Sequence, residues 1–240
     1  MTRSAVAAVV VLALAGTMSP ALSAPGFVSP KLTLSGPSNA QPTVALTLDA
    51  CTGKTDMRIL NALIENGIPA TVFVTARWMK RNATALALLK SRPDLFQIEN
   101  HGAAHVPAID VPGRAYGART AGSGEAVERE VVEGARAVTA ATGRKPVWFR
   151  GATALYTPAS LDRIRKTGAR LAGYSMAGDG GATLGRAATA KRISSARDGE
   201  VILAHVNHPE RASGAGVVDG VLALRRKGYR FVKLGASASR

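Results

Sequence analysis

Short apolar runs alternate with amphipathic stretches along most of this chain. Residues 43–48 (TVALTL) read as a short buried strand, and residues 57–66 then repeat apolar positions at helical spacing. Residues 70–75 (ATVFVT) form a second strand pattern, followed by a helix over about 78–90. Residues 96–99 are a weaker third strand. The stretch 124–142 places Val127, Val131, Ala135 and Val138 on one helical face. Strand patterns return at 146–149, 170–175, 200–206 and 229–234, with helices at 158–167, 184–196 and 216–227. Strands alternating with helices predict an α/β fold whose parallel sheet closes, or nearly closes, into a barrel. Residues 103–123 carry little regular pattern. A loop of that length in a compact domain is usually functional or disordered.

The pattern changes at the amino end. Arg3 precedes an unbroken apolar run, residues 5–16, and a small-residue stretch follows at 19–24. The run is too short to span a bilayer but fits the apolar core of a secretory signal. Residues 1–24 are therefore expected to be a cleaved signal peptide, and the protein secreted or periplasmic. Residues 25–41, rich in Pro, Ser and Gly, read as a linker into a single domain at 42–235.

Composition adds two constraints. Cys51 is the single cysteine, so no internal disulfide can form. Thirty-one Lys and Arg against 16 acidic residues give a net charge of +15, which favours anionic partners. The basic residues are scattered (Arg77, Lys80, Arg81; Arg163, Arg165, Lys166; residues 225–227) and not interleaved with aromatics. No nucleic-acid partner is expected from such a pattern. Electrostatic association with anionic envelope polymers is.

In parallel α/β barrels, chemistry gathers where strands lead into the following loops. Asp49 closes the first strand, His101 and His105 follow the third, and Arg150 closes the fourth. Asp179 follows the fifth and His205 lies near the end of the sixth. Three of the chain's four histidines thus fall on this rim, His208 being the other. The spacing of His101 and His105 lets two imidazoles meet one metal ion. Asp49, leaving an apolar strand, needs a partner such as Arg150 or a metal. Asp179 could orient His205 and raise its pKa, making it a competent general acid. Cys51 has three open roles: a small packed residue, a metal ligand, or a nucleophile paired with a rim histidine.

These segments resemble the polysaccharide deacetylase family, which includes chitin-oligosaccharide, xylan and peptidoglycan deacetylases. Thr47-Leu-Asp-Ala-Cys51, the pair His101 and His105, Phe149-Arg150-Gly151, Gly178-Asp179 and Leu203-Ala-His205 occur in the order of that family's motifs. The resemblance implies a distorted (β/α)7 barrel that removes acetyl groups, N-linked or O-linked, from a polysaccharide with help from a divalent metal such as zinc. It implies Asp49 as catalytic base, Arg150 as the arginine holding it, His205 as general acid and Asp179 as the carboxylate tuning that acid. His101 and His105 would be metal ligands, and an acetylated glycan the substrate.

Some motifs depart from the family. Members usually carry two consecutive aspartates in the first motif, the second binding metal; this chain reads Asp49-Ala50. Gly102 stands where Ser or Thr is usual, the third motif lacks its proline, and no tryptophan follows Asp179. The missing ligand could be Asp49 itself, Cys51, Asp56 or water. If position 50 faces the metal, Ala50→Asp should tighten metal binding. Two other readings remain on the same barrel: a non-catalytic carbohydrate-binding relative and a small-molecule amidohydrolase.

Overall fold

The computed structural model describes residues 26–34, 41–235 and 238–239, so the expected signal segment lies outside the described residues. The chain order is β1 (Thr33–Leu34), β2 (Thr43–Ala50), α1 (Met57–Glu65), β3 (Ala70–Val74), α2 (Ala76–Arg81), α3 (Ala83–Ser91) and β4 (Phe96–Asn100). A small hairpin follows, β5 (Arg114–Ala115) and β6 (Ala118–Arg119), then α4 (Gly124–Thr142) and β7 (Trp148–Phe149). The remainder is α5 (Pro158–Lys166), β8 (Arg170–Leu171), β9 (Met176–Ala177), α6 (Arg186–Ser194), β10 (Val201–His205), α7 (Ser213–Arg226), β11 (Arg230–Val232) and β12 (Ala238–Ser239).

Eight of these strands form one parallel sheet in the order β8-β7-β4-β3-β2-β10-β9, with β11 also on β2. The sheet curls into a half-barrel flanked by helices, the α/β arrangement that the alternation of patterns predicts and the distorted barrel that the family resemblance implies. The register along β2 explains how it serves three neighbours. Residues 43–45 pair with β11, residues 45–49 with β10 and residues 47–50 with β3.

Two expectations about elements need correction. The run 170–175 is not one strand. Its first residues pair with β7 at one edge of the sheet, and β9 pairs with β10 at the other edge. Only residues 172–175 join the two edges, so the chain itself bridges the opening. Gly173 sits against Pro30, whose carbonyl oxygen would lie 2.2 Å from any added Cβ. The helix over 78–90 is likewise two helices, broken at Asn82. The Asn82 side chain donates to the carbonyls of Gly53 (3.1 Å) and Trp78 (3.0 Å) and accepts from the Thr55 amide (3.0 Å). It gives up helical geometry to brace the loop after β2.

The remaining local rules behave as the sequence suggests. Helix α4 starts on the Ser123 side chain and stops at Gly143 with φ +72°, the left-handed position that glycine adopts freely. Helix α5 carries a capping box between Thr157 and Ser160, worth about 1 kcal/mol. Apolar residues of β2 and β3 (Leu46, Leu48, Val72, Val74) pack outward with Ile59, Leu63, Val217 and Leu224 of α1 and α7. A second cluster, including Leu32, Ala45, Phe73, Trp148, Val201 and Leu234, fills the inside of the curve. Leu32 belongs to the expected linker, whose described residues are tied down. Val28 bridges Tyr156, and β1 pairs with β12.

Candidate functional site

Strands β2, β4, β7 and β10 end at one rim, and their register decides what meets there. Asp49 is the register partner of His205 on β10 and of Phe73 on β3. Asn100 is the register partner of Phe149, so His101 and Arg150 leave the sheet side by side.

Arg150 is fully buried and held on every side. It donates to the carbonyls of Ala172 (3.2 Å) and Gly173 (2.9 Å), in the bridge between the two sheet edges. It also donates to Thr47 Oγ1 (2.9 Å) and Asp49 Oδ1 (3.0 Å), and its guanidinium lies 4.4 Å from the centre of the Phe73 ring. A buried charge survives only with such a full set of partners. Burial pushes the Asp49 carboxyl up, but the Arg150 guanidinium, with His101 and His205, outweighs burial and holds it below the usual carboxylate range. Asp49 is therefore an ionised, fixed acceptor.

His205 is built as the complementary group. Asp179 is fully buried; it accepts from the His205 backbone amide (2.6 Å) and lies 3.0 Å from the His205 Nδ1. Nδ1–H donation to this carboxylate turns Nε2 to the rim, on the side of Cys51. Burial pushes the imidazole down, but the bonds to Asp179 and Cys51 and their charges hold it well above the usual histidine range. A proton donor thus stands on the strand beside a proton acceptor.

His101 is buried, and its Nδ1 lies 2.6 Å from the Arg150 carbonyl. Donation there turns its Nε2 to Cys51 Sγ at 3.5 Å, with Asp49 Oδ2 at 3.8 Å. The His105 ring centre is 5.1 Å from that of His101. A cavity of about 480 Å³ lies elsewhere, beside α4, lined by Asn100, Val131, Arg136, Lys145 and Trp148 among others and by none of Asp49, Cys51, His101, His105, Arg150, Asp179 and His205.

A family model for polysaccharide deacetylase matches residues 36–172, more than half of the chain. The chain belongs to the polysaccharide deacetylase family. No curated protein sequence matches it. Among solved structures it is similar to a family 4 carbohydrate esterase from Streptomyces lividans in complex with acetate. There the TM-score is 0.66 at 20% identity, covering 84% of this chain and 98% of that one. A structure described as T48 deacetylase with substrate gives 0.62 at 25% identity, covering 80% and 88%. BA3943, described as a CE4 family pseudoenzyme from Bacillus anthracis, gives 0.63 at 19% identity and covers 81% of this chain. The match spans 64% of the length of that pseudoenzyme chain.

Within this deacetylase family member, the departures from the family motifs acquire structural reasons. Ala50 is fully buried in the outer core with Leu48 and Val74. It points away from the rim, so the expectation that a carboxylate restored there would tighten metal binding does not hold. Asp56, weighed as a ligand, caps α1 and is bound by Arg58 at 2.6 Å. His208 pairs with Glu210 at the surface. Among the described residues, the side chains whose ligand atoms converge are Cys51, His101 and His105, all within 4.8 Å of one another; Asp49 is not in that group.

Glu130 was not legible as a site residue. Its carboxylate accepts from the amides of Ala104 (2.9 Å) and Val106 (3.1 Å), on either side of His105. Its backbone carbonyl accepts from Ala103 at 3.1 Å. This clamp holds His105 in the left-handed region, φ +62°, a strained setting for a non-glycine residue. Gly102 has φ +93°, and a Cβ there would meet the Glu130 Oε1 at 2.4 Å. The Ser or Thr usual in the family has no room beside this glutamate.

Proposed function

We propose that this protein is a metal-assisted deacetylase that hydrolyses N-acetyl, and by the same chemistry O-acetyl, groups on a glycan. One observation carries the reading: an arginine-held Asp49 and an aspartate-held His205 are register partners beside a cluster of metal-ligand type. The residues present fit a divalent ion. Two imidazoles and a thiol converge, and the Nδ1 of His101 is engaged so that its Nε2 is available. Such an ion, when bound, polarises a carbonyl and acidifies a water.

The chain's own residues supply the rest. Asp49 takes a proton from the attacking water as its oxygen bonds to the acetyl carbon. Arg150 keeps that carboxylate oriented and ionised in the substrate-free site. When the carbon–nitrogen bond breaks, the departing amine takes a proton from His205 Nε2, and acetate leaves. Asp179 fixes the ring through Nδ1, so the transfer occurs at the other nitrogen. The apolar run at 5–16 supports export, and the basic composition supports a site of action among anionic envelope polymers.

Purified protein is expected to release acetate from N-acetylated chitin oligomers or from peptidoglycan, to lose that activity on chelation and to regain it with zinc. Retention of full activity after complete metal removal would overturn the metal-assisted reading. A folded protein that binds these glycans with no acetate release would favour a non-catalytic relative. Release from small acetamides alone would favour an amidohydrolase.

A further inference from the structure

We propose that Cys51 is the third protein ligand of the metal, so that this deacetylase carries a thiolate where its family uses a carboxylate. The inference rests on the metal-assisted reading above and names the chemistry of its centre. Its first support is the alternation of β2. Thr47 and Asp49 face the rim, bonding to Arg150, while Leu46, Leu48 and Ala50 face the outer core. Cys51 continues the inward series two residues beyond Asp49, and its side chain meets His101. The neighbouring position, where the family's ligand falls in sequence, is turned away.

The second support is geometric. Zinc bonds of about 2.0–2.1 Å to nitrogen and 2.3 Å to sulfur, set tetrahedrally, put ligand atoms roughly 3.3–3.6 Å apart. Cys51 Sγ and His101 Nε2 stand at 3.5 Å, and all three ligand atoms lie within 4.8 Å of one another. Closing on an ion requires only a modest inward turn of the remaining partner. The third support is anchoring. His101 is tied to the Arg150 carbonyl, and the loop of His105 is tied to Glu130. The Cys51 carbonyl accepts from the Thr75 hydroxyl. Each ligand therefore has a partner behind it, as metal sites require.

A cysteine nucleophile would leave His105 without a role. Thiolate with two imidazoles also makes a softer site than carboxylate with two imidazoles. It favours zinc or cobalt and disfavours magnesium, manganese and calcium.

Cobalt(II) titration of the reduced full chain under anaerobic conditions tests this without recourse to activity. The expected result is one bound cobalt with visible ligand-field bands and an intense near-ultraviolet thiolate-to-cobalt band. Cys51→Ser should abolish the near-ultraviolet band. It should also weaken cobalt binding by at least the roughly 10- to 100-fold that loss of a mere supporting partner costs. Cys51→Asp should keep cobalt without the near-ultraviolet band. Stoichiometric cobalt that is lost in His101→Ala but shows no thiolate band in the unaltered chain would overturn the Cys51 assignment and leave the metal-assisted reading standing. No cobalt or zinc binding at all would overturn both. The spectrum of the unaltered protein decides the assignment even if a variant fails to fold.

Discussion

The two faces of strand β2 are built from the same eight residues and obey opposite rules. The outer face, Leu46, Leu48 and Ala50, is uniformly apolar and packs under α1 and α7. The inner face changes character along its length, from Ala45 in the apolar filling to Thr47 and Asp49 at the rim. Both faces are buried, and so is every residue of the strand. Exposure therefore does not separate core from site here. Partners do: each inner polar group has a hydrogen-bonding or charged neighbour, and the outer face has none to offer. A buried polar group without a partner is costly, so the same substitution has opposite consequences on the two faces.

The sharpest way to break that contrast is to put a carboxylate on the wrong face. Ala50→Asp should cost about 3–5 kcal/mol, the range for an uncompensated buried charge, and should gain no additional stability from zinc. Thermal unfolding with and without zinc measures both. A variant as stable as the parent, or one with an enlarged zinc response, would mean that position 50 reaches the rim after all.

A smaller effect is expected where the rim is supported from outside. Glu130→Gln replaces charged acceptance at Ala104 and Val106 with a neutral amide and should cost about 1–2 kcal/mol. Because the clamp flanks His105, zinc affinity should fall as well. Urea unfolding together with zinc titration checks this. A stability loss with unchanged zinc affinity would make Glu130 a packing residue only.

Much of this arrangement was legible along the chain. Helix α4 has the span that the apolar face of Val127, Val131 and Val138 predicts, and the strand ends placed Asp49, His101, Arg150 and His205 on one rim. The alternation of Thr47, Asp49 and Cys51 was also present in the sequence, and it carries the signal for which neighbour turns inward. Family spacing pointed instead to position 50. What could not be read were facts of long range. Glu130 lies 26 residues from Ala104, and nothing local marks it as the partner of a histidine loop. The broken helix at Asn82 depends on Gly53 and Thr55, a loop that its own helical pattern knows nothing of. The split of residues 170–175 between two sheet edges follows from curvature, which apolar periodicity does not encode.

The claim that the inner face of β2 supplies the base of a deacetylation reaction is tested most directly by one comparison. Acetate release from an N-acetylated glycan oligomer is measured for Asp49→Asn against the parent, with His208→Ala as the control outside the cluster. The amide keeps the shape of the side chain and can still accept from Arg150, so the variant should remain folded. Its turnover should fall by about 100- to 10,000-fold, the usual contribution of a general base, while His208→Ala stays near the parent. Turnover by a folded Asp49→Asn equal to that of the parent would contradict the account.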